Sequence, residues 1–128
     1  GSEIGFAPVD LRGQDPVLAP LGRCPTVLHW HGDAADLPPG ATLLASSALT
    51  PVQAFRAGSA LGLQFHLEVD RALLAAWLTQ PAMAADLHGT GAPTPEALAD
   101  QGEAALPTLV PAARLGLAAF AAQVVAAG

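Results

Sequence analysis

The sequence has a single cysteine and few basic or aromatic residues, and each scarcity narrows what the chain can do. One thiol, Cys24, cannot form an internal disulfide, which fits a reducing, cytoplasmic environment. Five Lys and Arg against eleven Asp and Glu give a net charge of −6, which argues against nucleic acid or an anionic membrane as partner. With only 5% aromatic residues, a core must be built mainly from Leu, Val and Ala.

Segments that would direct the chain into or across a membrane are also not evident. The longest apolar run, residues 115–128, is interrupted by Gln123 and is too short to span a bilayer. No basic stretch followed by an apolar one opens the sequence, so we expect no export signal. Gly1 and Ser2 are compatible with native sequence or with the remnant of a cleaved tag.

The pattern of apolar and turn residues divides the chain into a strand-rich part, residues 1–69, and a helical part, residues 70–128. A length of 128 residues fits one domain or a portion of one. Short apolar runs separated by Gly and Pro predict strands over residues 3–11, 26–31, 41–45, 52–56 and 60–68. Strands first and helices afterwards indicate a mixed α/β domain.

Three helices are predicted after residue 69. Asp70 can cap the first, over residues 71–79, and Pro81 would end it. Its expected core residues are Leu73, Leu74, Trp77 and Leu78. Thr94 and Pro95 resemble the start of a second helix. Its apolar residues are Leu98, Leu106, Leu109 and Val110, and its weak points are Gly102 and Pro107. A last helix over residues 111–126 would place Leu115, Phe120 and Val124 in the core.

His66 and Glu68 lie two positions apart in the last predicted strand, so that both side chains project from one face. A carboxylate beside an imidazole fixes the tautomer of the ring and favours its protonated form, as general acid/base chemistry requires. The spacing is equally typical of a buried histidine satisfied by a neighbouring carboxylate. Both interpretations stay open from the spacing alone.

His29 and His31 also share one strand face, which is a spacing seen among metal ligands. The alternative is a strand end whose polar residues face water. Combined with His66 and Glu68, the pair could surround an iron, manganese or zinc ion in a β-barrel. Too few well-marked strands and a helical final third argue against that architecture.

A nucleophile is harder to find. Cys24 is followed by Pro25 and then by a predicted strand, and lacks the tight glycine-flanked turn into a helix that activates a thiol. Ser46 and Ser47 lack a Gly-x-Ser-x-Gly turn. We therefore interpret Cys24 as structural or incidental.

The string Gly-Leu-Gln-Phe-His-Leu-Glu-Val at residues 62–69 resembles the His-x-Glu signature that closes the catalytic triad of class I glutamine amidotransferases. The nearest resemblance is to stand-alone, GMP-synthase-like members. Further segments match the family in order: residues 3–6 with Val9, residues 29–33, residues 37–41, and residues 45–47 with 53–56. The resemblance implies a flavodoxin-like α/β domain, of which residues 1–128 would form the C-terminal portion.

The family implies hydrolysis of the glutamine side-chain amide to glutamate and ammonia by a Cys-His-Glu triad. On this resemblance His66 is the general acid/base and Glu68 its orienting partner. Trp30, Gly32 and Asp33 would lie near the glutamine. The resemblance implies no cofactor and no metal.

The family places its nucleophile, on a Gly-x-Cys-x-Gly elbow, in the half that precedes the strand at Glu3. We therefore expect the nucleophile half to be absent and the chain to be inactive alone. It would need the nucleophile-bearing half or self-association, since the apolar face of its sheet should otherwise be exposed. A non-catalytic interaction module is the alternative, and the ammonia acceptor is not indicated.

Overall fold

A computed structural model describes residues 3–32, 36–88 and 91–127. Within these ranges the chain forms two antiparallel sheets and three α-helices. The strands are β1 (Glu3–Pro8), β2 (Asp10–Leu11), β3 (Thr26–His31), β4 (Thr42–Ser46), β5 (Ala54–Ala57), β6 (Ala60–Leu63) and β7 (Phe65–His66). The helices are α1 (Arg71–Thr79), α2 (Pro81–Asp86) and α3 (Pro95–Ala127), and a short 3₁₀ turn spans Ala19–Leu21. Strands followed by helices, as the sequence predicts, are confirmed.

The register of the first sheet, ordered β1-β3-β7, determines which side chains share a face. Glu3 lies opposite His31, and Leu28 lies opposite His66. Directly opposed residues project from the same face, and successive residues of a strand alternate. Glu3, His29 and His31 therefore occupy one face of this sheet, and His66 occupies the other.

The core lies on both sides of β3. Val27, Leu28, His29 and Trp30 are all buried, although successive residues point to opposite faces. Helices α1 and α3 cover the His66 face, and Thr50 and Gln53, from the region of the second sheet (β2-β4-β5-β6), contact Glu3 on the other. The prediction of an exposed apolar sheet face is therefore wrong for β3, the central strand of the first sheet.

The predicted strand over residues 60–68 is divided in the structure. β6 belongs to the second sheet and β7 to the first, and Gln64 stands between them. The backbone N–H of Gln64 donates to the Gln53 carbonyl over 2.8 Å, at the point where the chain passes from one sheet to the other. An uninterrupted apolar run in the sequence does not reveal this crossing.

The helix predicted over residues 71–79 is confirmed with the same bounds. Asp70 caps it, since its Oδ1 accepts a hydrogen bond from the Leu73 N–H over 2.8 Å. Leu74 is its fully buried residue, and Trp77 and Leu78 pack partly buried against the core. Pro81 ends this helix as predicted, but it also begins α2, because proline is well suited to the first position of a helix.

The predicted break between the second and third helices is wrong. α3 is one helix of 33 residues that continues through Pro107 and Pro111. Each proline removes a backbone hydrogen bond, but Leu106, Leu109 and Ala113 are buried around them, and this packing stabilises the turns.

Gly102 has a packing role in α3. A Cβ at this position would lie 2.6 Å from Leu74 Cδ2, so the missing side chain lets α3 approach α1 closely. Gly102, which the sequence pattern indicates as a weak point of the helix, is therefore the place where α3 contacts α1.

The last turns of α3 also differ from expectation. Leu115, Phe120 and Val124 are 63%, 37% and 55% exposed, so the prediction that they lie in the core is wrong. On length and composition alone, Pro95–Val124 is long and apolar enough to cross a membrane, and its most apolar 18 residues have a mean hydropathy of 1.4. Mostly buried core helices pass the same test, but only 22% of this apolar stretch is buried, with Leu98, Leu106 and Leu109 among the residues of α3 that the domain covers.

Candidate active site

His66 ends β7, and Glu68 follows it in the chain that leads to α1. Glu68 Oε1 is in hydrogen-bond contact with His66 Nδ1. Because a carboxylate only accepts, the proton of this bond is on Nδ1. Nε2 is then the nitrogen through which the ring can exchange a proton with a substrate.

Two tryptophans fix the orientation of the His66 ring. Trp77 of α1 packs edge-on against it, with ring centroids 5.0 Å apart, and His66 Nε2 lies 3.3 Å from the Trp30 carbonyl oxygen. The His66 side chain is 29% exposed and that of Glu68 is 53% exposed. The pair is thus held in place and remains accessible. Trp77 was predicted only as a core residue, and helix periodicity gives no sign that it contacts His66.

The structure places Trp30 and Gly32 beside one cavity of about 210 Å³. The residues that line it are Ile4, Trp30, His31, Gly32 and Asp86. The Trp30 side chain is buried, and its Nε1 donates to Asp86 Oδ2 over 3.0 Å. Asp86 belongs to α2, a helix that the sequence pattern does not predict. Asp33, the third residue predicted near the glutamine, lies outside the described residues.

Cys24 is an exposed residue between the 3₁₀ turn and β3. Its sulfur lies 3.6 Å from Asp10 Oδ1, and within the described part of the chain no hydrogen bond joins it to His66. Local desolvation of the sulfur, followed by the hydrogen bond and negative charge of Asp10, raises the pKa of the Cys24 thiol. A raised pKa disfavours the thiolate, which is the nucleophilic form.

A second histidine and carboxylate group lies on the opposite face of the same sheet. Glu3 Oε2 is 3.6 Å from His29 Nδ1, and Glu3 Oε1 is 3.3 Å from His31 Nε2. Desolvation lowers the pKa of His29, and the Glu3 carboxylate opposes that shift in part. We call these three residues the Glu3 cluster.

The Glu3 cluster corrects the metal hypothesis drawn from the sequence. That hypothesis joins His29 and His31 to His66 and Glu68, but the register puts His66 on the other face of the sheet. The acidic neighbour of His29 and His31 is Glu3, which the sequence analysis does not single out. No local pattern could have found it, because the pairing of β1 with β3 is a long-range contact.

Known proteins resemble this chain in both sequence and fold, although no family model matches it. It is 43% identical over 68 residues to the glutamine-hydrolysing GMP synthase of Thermomicrobium roseum, a match covering 52% of this chain and 13% of that protein. It is 39% identical over 70 residues to a glutamine amidotransferase-like protein of Salmonella typhimurium, covering 52% of this chain and 29% of that one.

The fold is also similar to that of a glutamine amidotransferase, over nearly the whole chain. The crystal structure of a glutamine amidotransferase from Thermotoga maritima superposes with a TM-score of 0.81 at 30% identity, covering 94% of this chain and 51% of that one. The chain thus spans about half of the solved structure and less than a third of the two relatives matched in sequence. Residues 1–128 therefore have the α/β fold of a solved glutamine amidotransferase, over about half of its length, and are similar in sequence to proteins named for glutamine amidotransfer.

Proposed function

We propose that the chain supplies the proton-handling side of a site that hydrolyses the amide of glutamine. His66 acts as general acid and base, Glu68 orients it, and a cysteine outside the chain supplies the nucleophile. The observation that carries this proposal is the contact between Glu68 and His66 Nδ1 on an accessible ring, whose Nε2 makes only a long contact of 3.3 Å to the Trp30 carbonyl oxygen. The likeness to glutamine amidotransferases supports glutamine as substrate, and the single cysteine supports the cytoplasm as location.

The proposed chemistry uses the two states of His66 in turn. A cysteine thiolate attacks the side-chain carbonyl carbon of glutamine, and the carbon–nitrogen bond breaks while imidazolium Nε2 gives its proton to the departing ammonia. Neutral His66 then takes a proton from the water that hydrolyses the thioester, which releases glutamate and restores the thiolate and imidazolium. Glu68 holds the ring through Nδ1 in both half-reactions.

The described residues support a nucleophile from elsewhere. Cys24 faces Asp10 and has a raised pKa. Ser47 Oγ already accepts hydrogen bonds from the Thr50 N–H and from Gln53 Nε2, so it is used within a turn. We therefore propose that the isolated chain has no glutaminase activity and needs a nucleophile-bearing segment, on its own polypeptide or another.

The glutamine itself would bind near the end of β3. A Cβ built on Gly32 meets nothing within 4 Å, so the backbone there is open to a ligand, and Trp30 borders the same cavity. Asp33 joins this set on the family resemblance alone. This assignment rests on the proposed reaction.

The test is a chimera in which residues 3–127 replace the superposed part of the Thermotoga maritima amidotransferase. We expect it to release ammonia from glutamine, because the two structures share the fold over this region. His66→Ala should lower the rate by about 10²–10⁴-fold, as loss of an acid/base group does. Cys24→Ala and His88→Ala, which change an exposed thiol and an exposed imidazole, are the matched controls and should leave the rate unchanged.

The isolated chain tests the other half of the proposal. Ammonia release that requires His66 but survives Cys24→Ala would mean that another nucleophile is present in these 128 residues. Loss of such release in Cys24→Ala would make Cys24 the nucleophile. Either result contradicts a nucleophile supplied from outside.

A non-catalytic interaction module is the second candidate. The exposed apolar side chains of Leu115, Phe120 and Val124 favour it, since such residues on one helix end are typical of contact surfaces. A folded chimera whose rate is unaffected by His66→Ala would support this candidate over the catalytic one. The sedimentation of the isolated chain would show whether it self-associates.

A further inference from the structure

We propose that the Glu3 cluster binds one divalent transition-metal ion, with Zn²⁺ as the reference ion. The site lies on the face of the first sheet opposite His66, so it does not depend on the proposed amide hydrolysis. It also departs from the sequence-based expectation of no metal.

The strand register brings the three donor groups together. His29 and His31 are two positions apart on β3 and share a face, and Glu3 of β1 is directly opposite His31. Opposed residues of an antiparallel pair have Cβ atoms about 4.5–5.5 Å apart, within reach of a shared ion.

The distances are those of ligands around a common centre. The gaps from Glu3 to His31 Nε2 and His29 Nδ1 are 3.3 and 3.6 Å, and one donor atom of each residue lies within 4.8 Å of the others. Atoms bound at about 2.1 Å to a tetrahedral ion lie about 3.4 Å from one another.

Among the described residues, the nitrogens that face Glu3 have no hydrogen-bond partner. Within the described residues, His29 Nδ1 and both ring nitrogens of His31 are buried without a hydrogen-bond partner. A buried polar atom of this kind costs free energy unless it is satisfied, and a metal ion would satisfy His29 Nδ1 and His31 Nε2 together.

The surrounding residues prepare the ligands. His29 Nε2 lies 3.1 Å from the Ala7 carbonyl oxygen, which can only accept, so Nε2 carries the proton and Nδ1 presents its lone pair to the cluster. Thr50 Oγ1 and Gln53 Nε2 donate to Glu3 Oε1 over 3.2 and 3.0 Å, which holds the carboxylate. Outer hydrogen bonds of this kind orient metal ligands.

The donor set points to the class of ion. Two imidazole nitrogens and one carboxylate suit zinc and its transition-metal neighbours, whereas calcium and magnesium prefer oxygen donors alone. His31 also lines the cavity of about 210 Å³, which gives access to the end of the strand and room for a water ligand. The bound ion would join β1 to β3.

The first measurement needs only the wild-type chain. After treatment with a chelator, the protein is dialysed against micromolar Zn²⁺, and we expect one ion per chain by elemental analysis. Co²⁺ in its place should give visible absorption bands typical of a low-coordinate nitrogen and oxygen site. No stoichiometric ion under these conditions would overturn the proposal.

Variants and ring spectra then locate the ion. Loss of a residue that only orients a metal ligand weakens metal affinity by roughly 10–100-fold. Glu3→Gln and His31→Gln remove ligands themselves, so each should weaken Zn²⁺ binding by more than this. His66→Gln and His88→Gln should leave Zn²⁺ binding unchanged. If a cluster variant fails to fold, nitrogen-15 spectra of wild-type histidines decide: Zn²⁺ should shift His29 and His31 alone. Binding that survives Glu3→Gln and His31→Gln, or shifts centred on His66 or His88, would refute the site.

Discussion

The two faces of the first sheet carry the same side-chain chemistry in opposite surroundings. On the helix-covered face, His66 and Glu68 form a pair whose side chains are 29% and 53% exposed. On the other face, Glu3, His29 and His31 meet in the interior, where the His29 side chain has no exposed surface. Each face thus joins imidazole to carboxylate, and the difference between them is access to water.

That difference decides what each group can do. An accessible imidazole can exchange protons with a substrate, and Glu68 fixes which nitrogen does so. The buried His29 is held neutral by desolvation, so it is suited to donate a lone pair or to hold a strand in place. On our proposals, the same two residue types therefore serve proton transfer on one face and metal binding on the other.

One strand connects the two groups. β3 contributes His29 and His31 to the Glu3 cluster, and the carbonyl of Trp30, between them, lies 3.3 Å from His66 Nε2. A change that moves β3 at the cluster would therefore move a contact of the accessible histidine. The two faces should differ in how much they contribute to the free energy of unfolding, in how that free energy depends on pH, and in the position of the histidine proton.

The largest difference is expected in stability. Glu3→Ala should lower the free energy of unfolding by about 1–3 kcal/mol, because Thr50 Oγ1 loses its acceptor and two buried histidines lose their carboxylate. Urea denaturation of the chelator-treated chain measures this loss. Glu68→Ala is the matched control, and its effect should stay within about 0.5 kcal/mol because Glu68 is exposed. Equal losses of unfolding free energy in Glu3→Ala and Glu68→Ala would contradict a difference in stability between the two faces.

Patterns of neighbouring residues are enough to predict the pair of His66 and Glu68, but not the Glu3 cluster on the other face of the sheet. The contact between His66 and Glu68 and the Asp70 cap of α1 depend on neighbours along the chain, and both are found, although Glu68 lies beyond the end of β7 and not within the predicted strand. The position of Glu3 beside His31 depends on a strand pairing that no local pattern encodes. The sequence pattern therefore predicts His29 and His31 as possible ligands but does not indicate Glu3.

The errors in the helical part have a similar cause. Pro107 and Pro111 normally break helices, but buried contacts around them keep α3 continuous. Leu115 has the expected apolar character, yet it is 63% exposed, because the helix turns its neighbours Ala113 and Gly116, and not Leu115, toward the domain. Propensity and periodicity predict which residues can be buried, and only tertiary packing decides which ones are.

A smaller effect is expected in the dependence of stability on pH. Burial lowers the pKa of His29 below its ordinary value of 6.5, although Glu3 opposes the shift and His31 and His66 add to it when charged. Between the lowered pKa and 6.5 the unfolded chain binds a proton that the folded chain does not. The stabilisation is therefore fully present above pH 6.5 and is lost as the pH falls through the lowered pKa.

Urea midpoints of the chelator-treated chain across this range measure the effect. His29→Gln is the comparison variant, and its stability should depend less on pH than that of the wild type. A slope that is unchanged in His29→Gln, or wild-type stability that rises on acidification below pH 6.5, would show that His29 is not held neutral by burial.

The smallest expected effect is a change in proton position at His66 with almost no change in stability. Glu68→Gln should leave the free energy of unfolding within about 0.5 kcal/mol, because the pair is exposed. The amide is a weaker acceptor than the carboxylate, so the population of His66 with its proton on Nδ1 should fall. Nitrogen-15 spectra of the ring report this population, and Glu3→Gln, on the other face, should not alter it. A tautomer ratio that responds to Glu3→Gln and not to Glu68→Gln would mean that the buried face, through β3, controls the accessible histidine.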